Sequence, residues 1–347
     1  MRVVVVGGGL AGLAAALDLA EAGADVVLLE AGDRFGGQVR TTRERGFLIE
    51  EGADGFTSEQ PGVLALLRHL RLDDEIIAPE SLPSLVLDVP GRLRDGASPA
   101  PTVSPRTLRH GMATLVQRMT RRLERKADLR VGSAAVAVTR TRPGWTIYPE
   151  LGAALVVDAV VLALPARPAA WLVHPVSPDA GRALAGLGTR PVVTVSAAYP
   201  RATVSHPLSA SGFSVPQEQG GFGIERCAFV SSVLRGRAPA DWVLLRTVMR
   251  PGRGELIGTT DEGWAELVHE ILSPALGLGE PPAAVWVARW ADAIPVLGDR
   301  YASLVAEART GLRALGRIEL ASTAYHGQGL DAALDSGRGA ARRLLAE

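Results

Sequence analysis

The sequence predicts an α/β protein of two domains. One is a parallel-sheet nucleotide-binding domain, discontinuous along the chain; the other is a smaller α+β domain with a mostly antiparallel sheet. Three observations predict this. Residues 2–37 read as strand, glycine turn, helix, second strand and second glycine loop. The stretch from Pro191 to Met249 is a series of short β-rich runs separated by turn residues. The chain from Ile318 onward repeats the strand, glycine turn, helix order of the start.

Arg2 to Val6 is a short β-branched run, suited to a strand buried on both faces. Gly7, Gly9 and Gly12 follow in the G-x-G-x-x-G spacing. The first glycine of such a set makes a tight turn and the second lets the backbone approach a pyrophosphate. The third lets the helix pack closely on the sheet. The helix begins with Leu10 and Ala11 and runs to about Glu21, its first N–H groups available to phosphates. Val26 to Leu29 is the second strand, and Glu30 ends it. A carboxylate there accepts hydrogen bonds from both ribose hydroxyls and favours an adenosine without a 2′-phosphate. A ligand-free turn would explain the glycines but not Glu30. The stretch reads as a Rossmann-like dinucleotide site.

A chain of 347 residues suggests more than one core. Hydrophobic content of 47% with 21% charged residues is that of a soluble globular enzyme, and the formal net charge of zero gives no global reason to bind nucleic acid or an acidic membrane. Cys227 is the only cysteine, which excludes an intrachain disulfide and a cysteine-based metal site. Asp18 and Glu21 in the first helix argue against a signal peptide. No run of 18 apolar residues predicts a transmembrane helix, so the cytoplasm is the default compartment.

Along the chain, Phe47 to Ile49 reads as a strand and Gly52 to Gly55 as a loop returning toward the first turn. Pro61 to Asp74 has helical spacing. Leu85 to Val89 is an apolar run, Gly91 marks a hairpin, and Ser98 to Pro105 is a Pro/Ser loop. A helix opens at His110 and ends near Lys126; its Arg118, Arg121, Arg122, Arg125 and Lys126 form a solvated basic face. Strands are expected at 129–131, 134–139, 145–148 and 155–164, then in the middle domain up to 284–290. Helices are expected at 261–272 and 303–315. The domains predicted are 1–83, 111–166 and 291–347 for the nucleotide half, and 84–110 and 167–290 for the substrate half. A glycine turn at Gly327–Gly329 precedes the last helix, whose N-terminus at Gly329 and Leu330 is a second candidate ligand contact.

The run Glu30-Ala31-Gly-Asp-Arg34-Phe-Gly36-Gly37-Gln38 resembles the signature of FAD-dependent amine oxidases, phytoene desaturases and protoporphyrinogen oxidases. The resemblance shifts the cofactor from NAD to FAD. It implies that Arg34 faces the pyrophosphate, that Gly36 and Gly37 pass close to the ribityl and flavin, and that Gly52, Ala53 and Asp54 lie beside the isoalloxazine. His110-Gly-Met-Ala-Thr-Leu115, Arg289 to Pro295 and Ala324 to Leu330 narrow it to the protoporphyrinogen and coproporphyrinogen oxidases. The phrases Gly212 to Pro216 and Gly236 to Pro239 also match. By resemblance Val136 sits in a strand holding the adenosine side, and Trp290 lies near the flavin.

Three departures bear on the substrate. The resembling enzymes insert a helical region between the strand pair near Leu85–Leu93 and the His110 helix, where this chain has a short Pro/Ser loop. They carry an Arg for a substrate propionate where this chain has Leu85. They also continue differently after Ile294-Pro295. Two readings follow. One is an FAD-dependent oxidoreductase moving hydride from a substrate C–H, cyclic or porphyrin-like, to flavin N5. The other is a flavin-binding subunit without the parent activity, its truncated cap completed by a protein partner. No metal spacing and no catalytic residue is identified; His326 is read as hydrogen-bonding its turn.

Overall fold

The computed structural model describes residues 1–57, 61–89, 91–96, 102–142, 144–216 and 223–346. Five parallel strands form the nucleotide-side sheet, in the order Ile318–Leu320, Ala159–Leu162, Arg2–Val6, Asp25–Leu29 and Ala127–Arg130. Side chains of the inner strands alternate between two cores, which is why Val3–Val6, Val26–Leu29 and Ala159–Leu162 are apolar throughout. Val3, Val5, Val26 and Leu28 pack under the helices Leu10–Glu21, Pro61–His69, Ala113–Leu123 and Gly329–Ala346. Val4, Val6, Val27 and Leu29 face a three-stranded sheet, Ala135–Arg140, Trp145–Pro149 and Leu155–Val157, together with the helices Ala166–Val173, Pro178–Ala185 and Tyr301–Arg313.

The second sheet has seven strands, in the order Ala284–Pro295, Thr189–Pro200, Trp242–Met249, Ile224–Phe229, Gly212–Ser214, Leu85–Val89 and Arg92–Asp95. It is antiparallel apart from the pairing of Gly212–Ser214 with Leu85–Val89. One face, with Val195, Tyr199, Phe213, Cys227, Phe229 and Leu245, is covered by the helix Asp261–Leu276. The other face receives the hairpin Thr41–Glu44/Phe47–Glu50 and the short helix Val230–Val233, and it leaves the rest open toward the glycine turns. Among the described residues no helix is long and apolar enough to cross a membrane.

Several element boundaries differ from expectation. The run 155–164 divides into two strands of different sheets, because Asp158 interrupts it. The Asp158 amide donates to the Arg2 carbonyl (2.9 Å) and its carboxylate accepts from the Arg2 amide (2.6 Å), so the chain steps from one sheet to the other there. The expected helix from Pro61 stops at His69, before a 3₁₀ turn at Asp73–Glu75. Among the β-rich runs between Pro191 and Met249, the one from Cys227 to Val233 leaves its strand at Phe229 and turns into the helix Val230–Val233. Residues 97–101 of the Pro/Ser stretch lie outside the described residues.

The domain limits also shift. Residues 166–185 form two helices in the core of the parallel sheet, the second opened by Ser177 as N-cap with Pro178 at the first position. The antiparallel domain therefore resumes at Thr189, not at 167. A boundary at 290/291 would cut the continuous strand Ala284–Pro295. Thr107–Leu108 pairs with Ile76–Ile77 rather than with the larger sheet.

The last helix is seated against the first by a small-residue contact. A Cβ on Gly337 would lie 2.1 Å from the Ala11 carbonyl oxygen, so any side chain forces the helices apart. Gly337→Ala is expected to destabilise the protein by about 1–3 kcal/mol. Gly339→Ala, whose Cβ meets only the end of the Arg343 side chain, should be neutral or stabilising by up to ~1 kcal/mol. Denaturant unfolding of both variants checks the difference.

Candidate flavin and substrate cleft

The first turn is built by close backbone approach. A Cβ on Gly12 would sit 1.8 Å from the Gly7 carbonyl oxygen, which lets the helix begin directly at the end of the strand. Its first turn carries no acidic residue, so the positive end of the helix dipole is left to the cleft. Gly36 bridges to Gly9, and the Gly36 amide donates to the Gly8 carbonyl (2.7 Å). The second glycine loop is thereby laid across the first. Ala53 in turn donates its amide to the Gln38 carbonyl (3.1 Å), bringing the Gly52 loop alongside.

These turns line a cleft of about 640 Å³ between the two sheets. Of the predicted residues, Gly7, Gly9, Leu10, Ala11, Glu30, Gly36, Gly37, Gln38, Gly52, Ala53, Asp54, Trp290, Gly329 and Leu330 line it. Four do not. Gly12 is buried behind the turn, and Ala31 is exposed at its edge. Arg34 is folded onto its own loop, donating to the carbonyls of Phe35, Val39 and Gly37 (3.1, 3.3 and 2.8 Å), so in this structure it braces the glycine loop instead of facing the cleft. Val136 is 57% exposed on the three-stranded sheet, because a register shift between Ala135 and Ala137 takes it out of the alternation that turns Val138 inward. The chain just before it approaches the end of the second strand of the parallel sheet: Gly132 and Ser133 donate amides to the carbonyls of Gly32 and Glu30.

Glu30 is oriented from two sides. Its Oε2 accepts from the Gly8 amide and its Oε1 from the Gly32 amide, both at 2.7 Å. Each oxygen keeps a second lone pair for a hydroxyl donor. At the far end, the C-terminal helix begins at Gly329, and the Tyr325 hydroxyl donates to the Leu164 carbonyl (3.0 Å), fixing the preceding turn. His326 is exposed and is not among the cleft residues.

Apart from Trp290, the wall from the seven-stranded sheet was not read from the sequence. Val192, Thr194, Glu225, Arg226, Arg246 and Val248 come from it. Arg246 is nearly buried; its Nε donates to the Glu50 carbonyl (2.9 Å), another nitrogen to the Gly52 carbonyl, and Nη1 pairs with Asp54 at 3.4 Å. Thr194 and Trp290 both donate to the Glu51 carbonyl. Burial pushes the Asp54 carboxyl up, but Arg246, Arg226 and the Ser104 hydroxyl outweigh it and hold the group below its usual range. The available signal was an Arg at an inward position of an apolar strand, in Val-Leu-Leu-Arg246-Thr-Val and Ile-Glu-Arg226-Cys-Ala-Phe.

Glu50 is the companion buried carboxylate. It pairs with the buried Arg237 (3.3 Å) and accepts from the Met112 amide and the Thr41 hydroxyl. Burial outweighs these partners and raises its pKa to about 7. The folded protein thus holds this proton more tightly than the unfolded chain. Its contribution to stability falls as pH rises from about 4.5 to about 7 and is level outside that window. Glu50→Gln should flatten the stability profile across that window, as read by thermal unfolding at a series of pH values.

The comparisons agree with this architecture. The family model described as flavin containing amine oxidoreductase matches residues 10–108 and 95–345. A coproporphyrinogen III oxidase of Propionibacterium freudenreichii subsp. freudenreichii is 45% identical over 93 residues, which are 27% of this chain and 18% of that protein. A coproporphyrinogen III oxidase of Mycobacterium leprae (strain TN) is 24% identical over an alignment of 454 positions, covering 99% of this chain and 98% of that one. The 347-residue chain crosses those positions with more than a hundred gaps. The crystal structure named "Putative protoporphyrinogen oxidase" from Exiguobacterium sp. 255-15 superposes with a TM-score of 0.87 at 22% identity, covering 100% of this chain and 99% of that one. With the family model matched along most of its length, the chain belongs to the flavin containing amine oxidoreductases, a family of flavoproteins.

Proposed function

We propose that the chain binds FAD in this cleft and oxidises a cyclic, tetrapyrrole-like substrate. The observation that carries the cofactor reading is the cleft's layout. The Glu30 carboxylate stands at one end, an unneutralised helix N-terminus follows at Leu10, and a second helix N-terminus at Leu330 stands at the other end beside Trp290. This order suits ribose, pyrophosphate and ring in turn. The fit is steric as well: a Cβ on Gly9 would meet nothing within 4 Å, so open space lies directly before the helix. When bound, FAD supplies the chemistry, accepting hydride at its N5.

The chain's own residues then bind, orient and stabilise. Glu30 holds the ribose hydroxyls. The amides at Leu10 and Ala11 face the pyrophosphate. Arg246, Thr194 and Trp290 fix the 50–54 loop against the ring, and the dipole of the C-terminal helix stabilises negative charge developing there. Among the described lining residues the carboxylates are engaged: Glu30 by backbone amides, Asp54 by Arg246, and Glu225 by Arg226 and Arg250. No residue is assigned as a catalytic base.

The substrate reading is supported by the names of the relatives. The more than a hundred unmatched positions in the long alignment agree with the shortened segment between Asp95 and Arg109. That same segment favours a second reading, a flavin-binding subunit whose wall is completed by a partner protein.

Purified protein is expected to show flavin absorbance, or to acquire it on incubation with FAD; a protein that does neither overturns the cofactor reading. Glu30→Ala should weaken FAD by roughly tenfold or more while leaving FMN, which lacks the adenosine, unchanged. Anaerobic mixing with coproporphyrinogen III should bleach the flavin band. Intact absorbance after mixing, together with a stoichiometric copurifying chain, favours the second reading.

A further inference from the structure

We infer that Glu50 takes up a proton when a flavin in the cleft is reduced, by way of a water held in a small chamber behind the 50–54 loop. The inference rests on the FAD reading of the cleft. The chamber has a volume of about 20 Å³ and shares Asp54, Ser104 and Arg246 with the cleft, so the two adjoin along that loop. Glu50, Arg237 and Ser196 complete its polar lining, against an apolar floor that includes Ala228 and Leu244. A site of this size holds one water when two or more polar groups face it.

Ser196 gives the reason for a water. It is 2% exposed and stands in one cross-strand row with Arg246 and Ala228, two other members of the lining. The Thr194 hydroxyl, two residues earlier on the same face, is taken by the Glu51 carbonyl. The Ser196 hydroxyl makes no hydrogen bond among the described residues. A buried hydroxyl without a protein partner is ordinarily met by water.

Glu50 is the group in this lining that can change charge. Its carboxylate faces Arg237, the Thr41 hydroxyl of the paired strand and the Met112 amide at the start of a helix. Arg43 adds a like charge near Arg237, and Arg246 binds the Glu50 carbonyl while pairing with Asp54. With Glu50 ionised, Glu50–Arg237 and Asp54–Arg246 are two neutral pairs. With Glu50 protonated, the Arg237 charge is left over. Burial already raises the Glu50 pKa to about 7, whereas Arg246, Arg226 and Ser104 keep Asp54 ionised. Hydride transfer brings two electrons and one proton to N5 and leaves a negative charge on the ring. That charge beside the 50–54 loop favours protonated Glu50 further. The carboxylate then takes a proton from solvent, and the unbalanced Arg237 offsets the charge of the ring. Reoxidation returns the proton.

The test is the midpoint potential of FAD-loaded protein, measured at an electrode as a function of pH in wild type and in Glu50→Gln. The slope against pH counts the protons taken up per two electrons. Wild type should exceed the variant by roughly half a proton between about pH 7 and about pH 8.5, with the slopes agreeing on either side of that window. At about pH 9 the variant, which lacks the Glu50 charge, should have the higher potential. Any proton taken by the ring itself is common to both proteins and cancels in the difference. Ser196→Val, which fills the chamber, should slow proton uptake after flash photoreduction by roughly tenfold or more, read with a pH-indicator dye. Equal slopes in wild type and Glu50→Gln, or an unchanged uptake rate in Ser196→Val, overturn the inference. Loss of the cofactor reading would appear separately, as wild-type protein that takes up no flavin.

Discussion

The guanidinium of Arg246 holds the two halves of this molecule in register at the cleft. It sits on a central strand of the antiparallel sheet and donates to carbonyls of the 50–54 loop, which belongs to the glycine-rich half. Asp54 from that same loop balances its charge. A buried guanidinium without its carboxylate would cost several kcal/mol, roughly 3–5 when one partner of such a pair is removed. The loop is therefore pinned at both backbone and side chain. Thr194 and Trp290 add donors to the intervening Glu51 carbonyl, and the loop then presents Gly52 and Ala53 to the cleft with little freedom.

On the opposite side the cleft is shaped by what is missing. Gly7, Gly9, Gly36, Gly37 and Gly52 bring bare backbone to the surface, so a ligand meets amides and carbonyls instead of side chains. This half relies on helix ends and on one oriented carboxylate, Glu30. The sheet half relies on paired charges. The division suits a polar, elongated cofactor on one side and a substrate chosen by side chains on the other, because side chains vary at little cost to the sheet while the close backbone approaches do not.

Much of the nucleotide half was legible from residues alone. The glycine spacing after Arg2–Val6 and the position of Glu30 are local consequences of how a helix must leave a strand. Both reappear in the structure with the geometry those residues demand. The antiparallel character of the second domain was also legible, from β-rich runs broken by turn signals. Legibility failed where local pattern and tertiary context diverge. Residues 166–185 carried an N-cap signal at Ser177-Pro178, yet their attachment to the parallel sheet depends on partners such as Leu304, Val305 and Leu312, more than a hundred residues away. Arg34 was placed on the pyrophosphate by resemblance, while in the fold its guanidinium closes on the carbonyls of its own loop.

By itself, then, the sequence determined the βα turns, their glycines and the carboxylate of Glu30 at the end of the second strand, since each is specified within one turn of chain. Only the tertiary structure decided the other wall. Arg226, Arg246 and Thr194 look like scattered polar residues within apolar strands. They come to line one cleft because strand alternation, one bulge at Glu225 and the register of three strands turn them to a single face. That register is set by pairing between distant segments, a constraint with no local signature in the sequence.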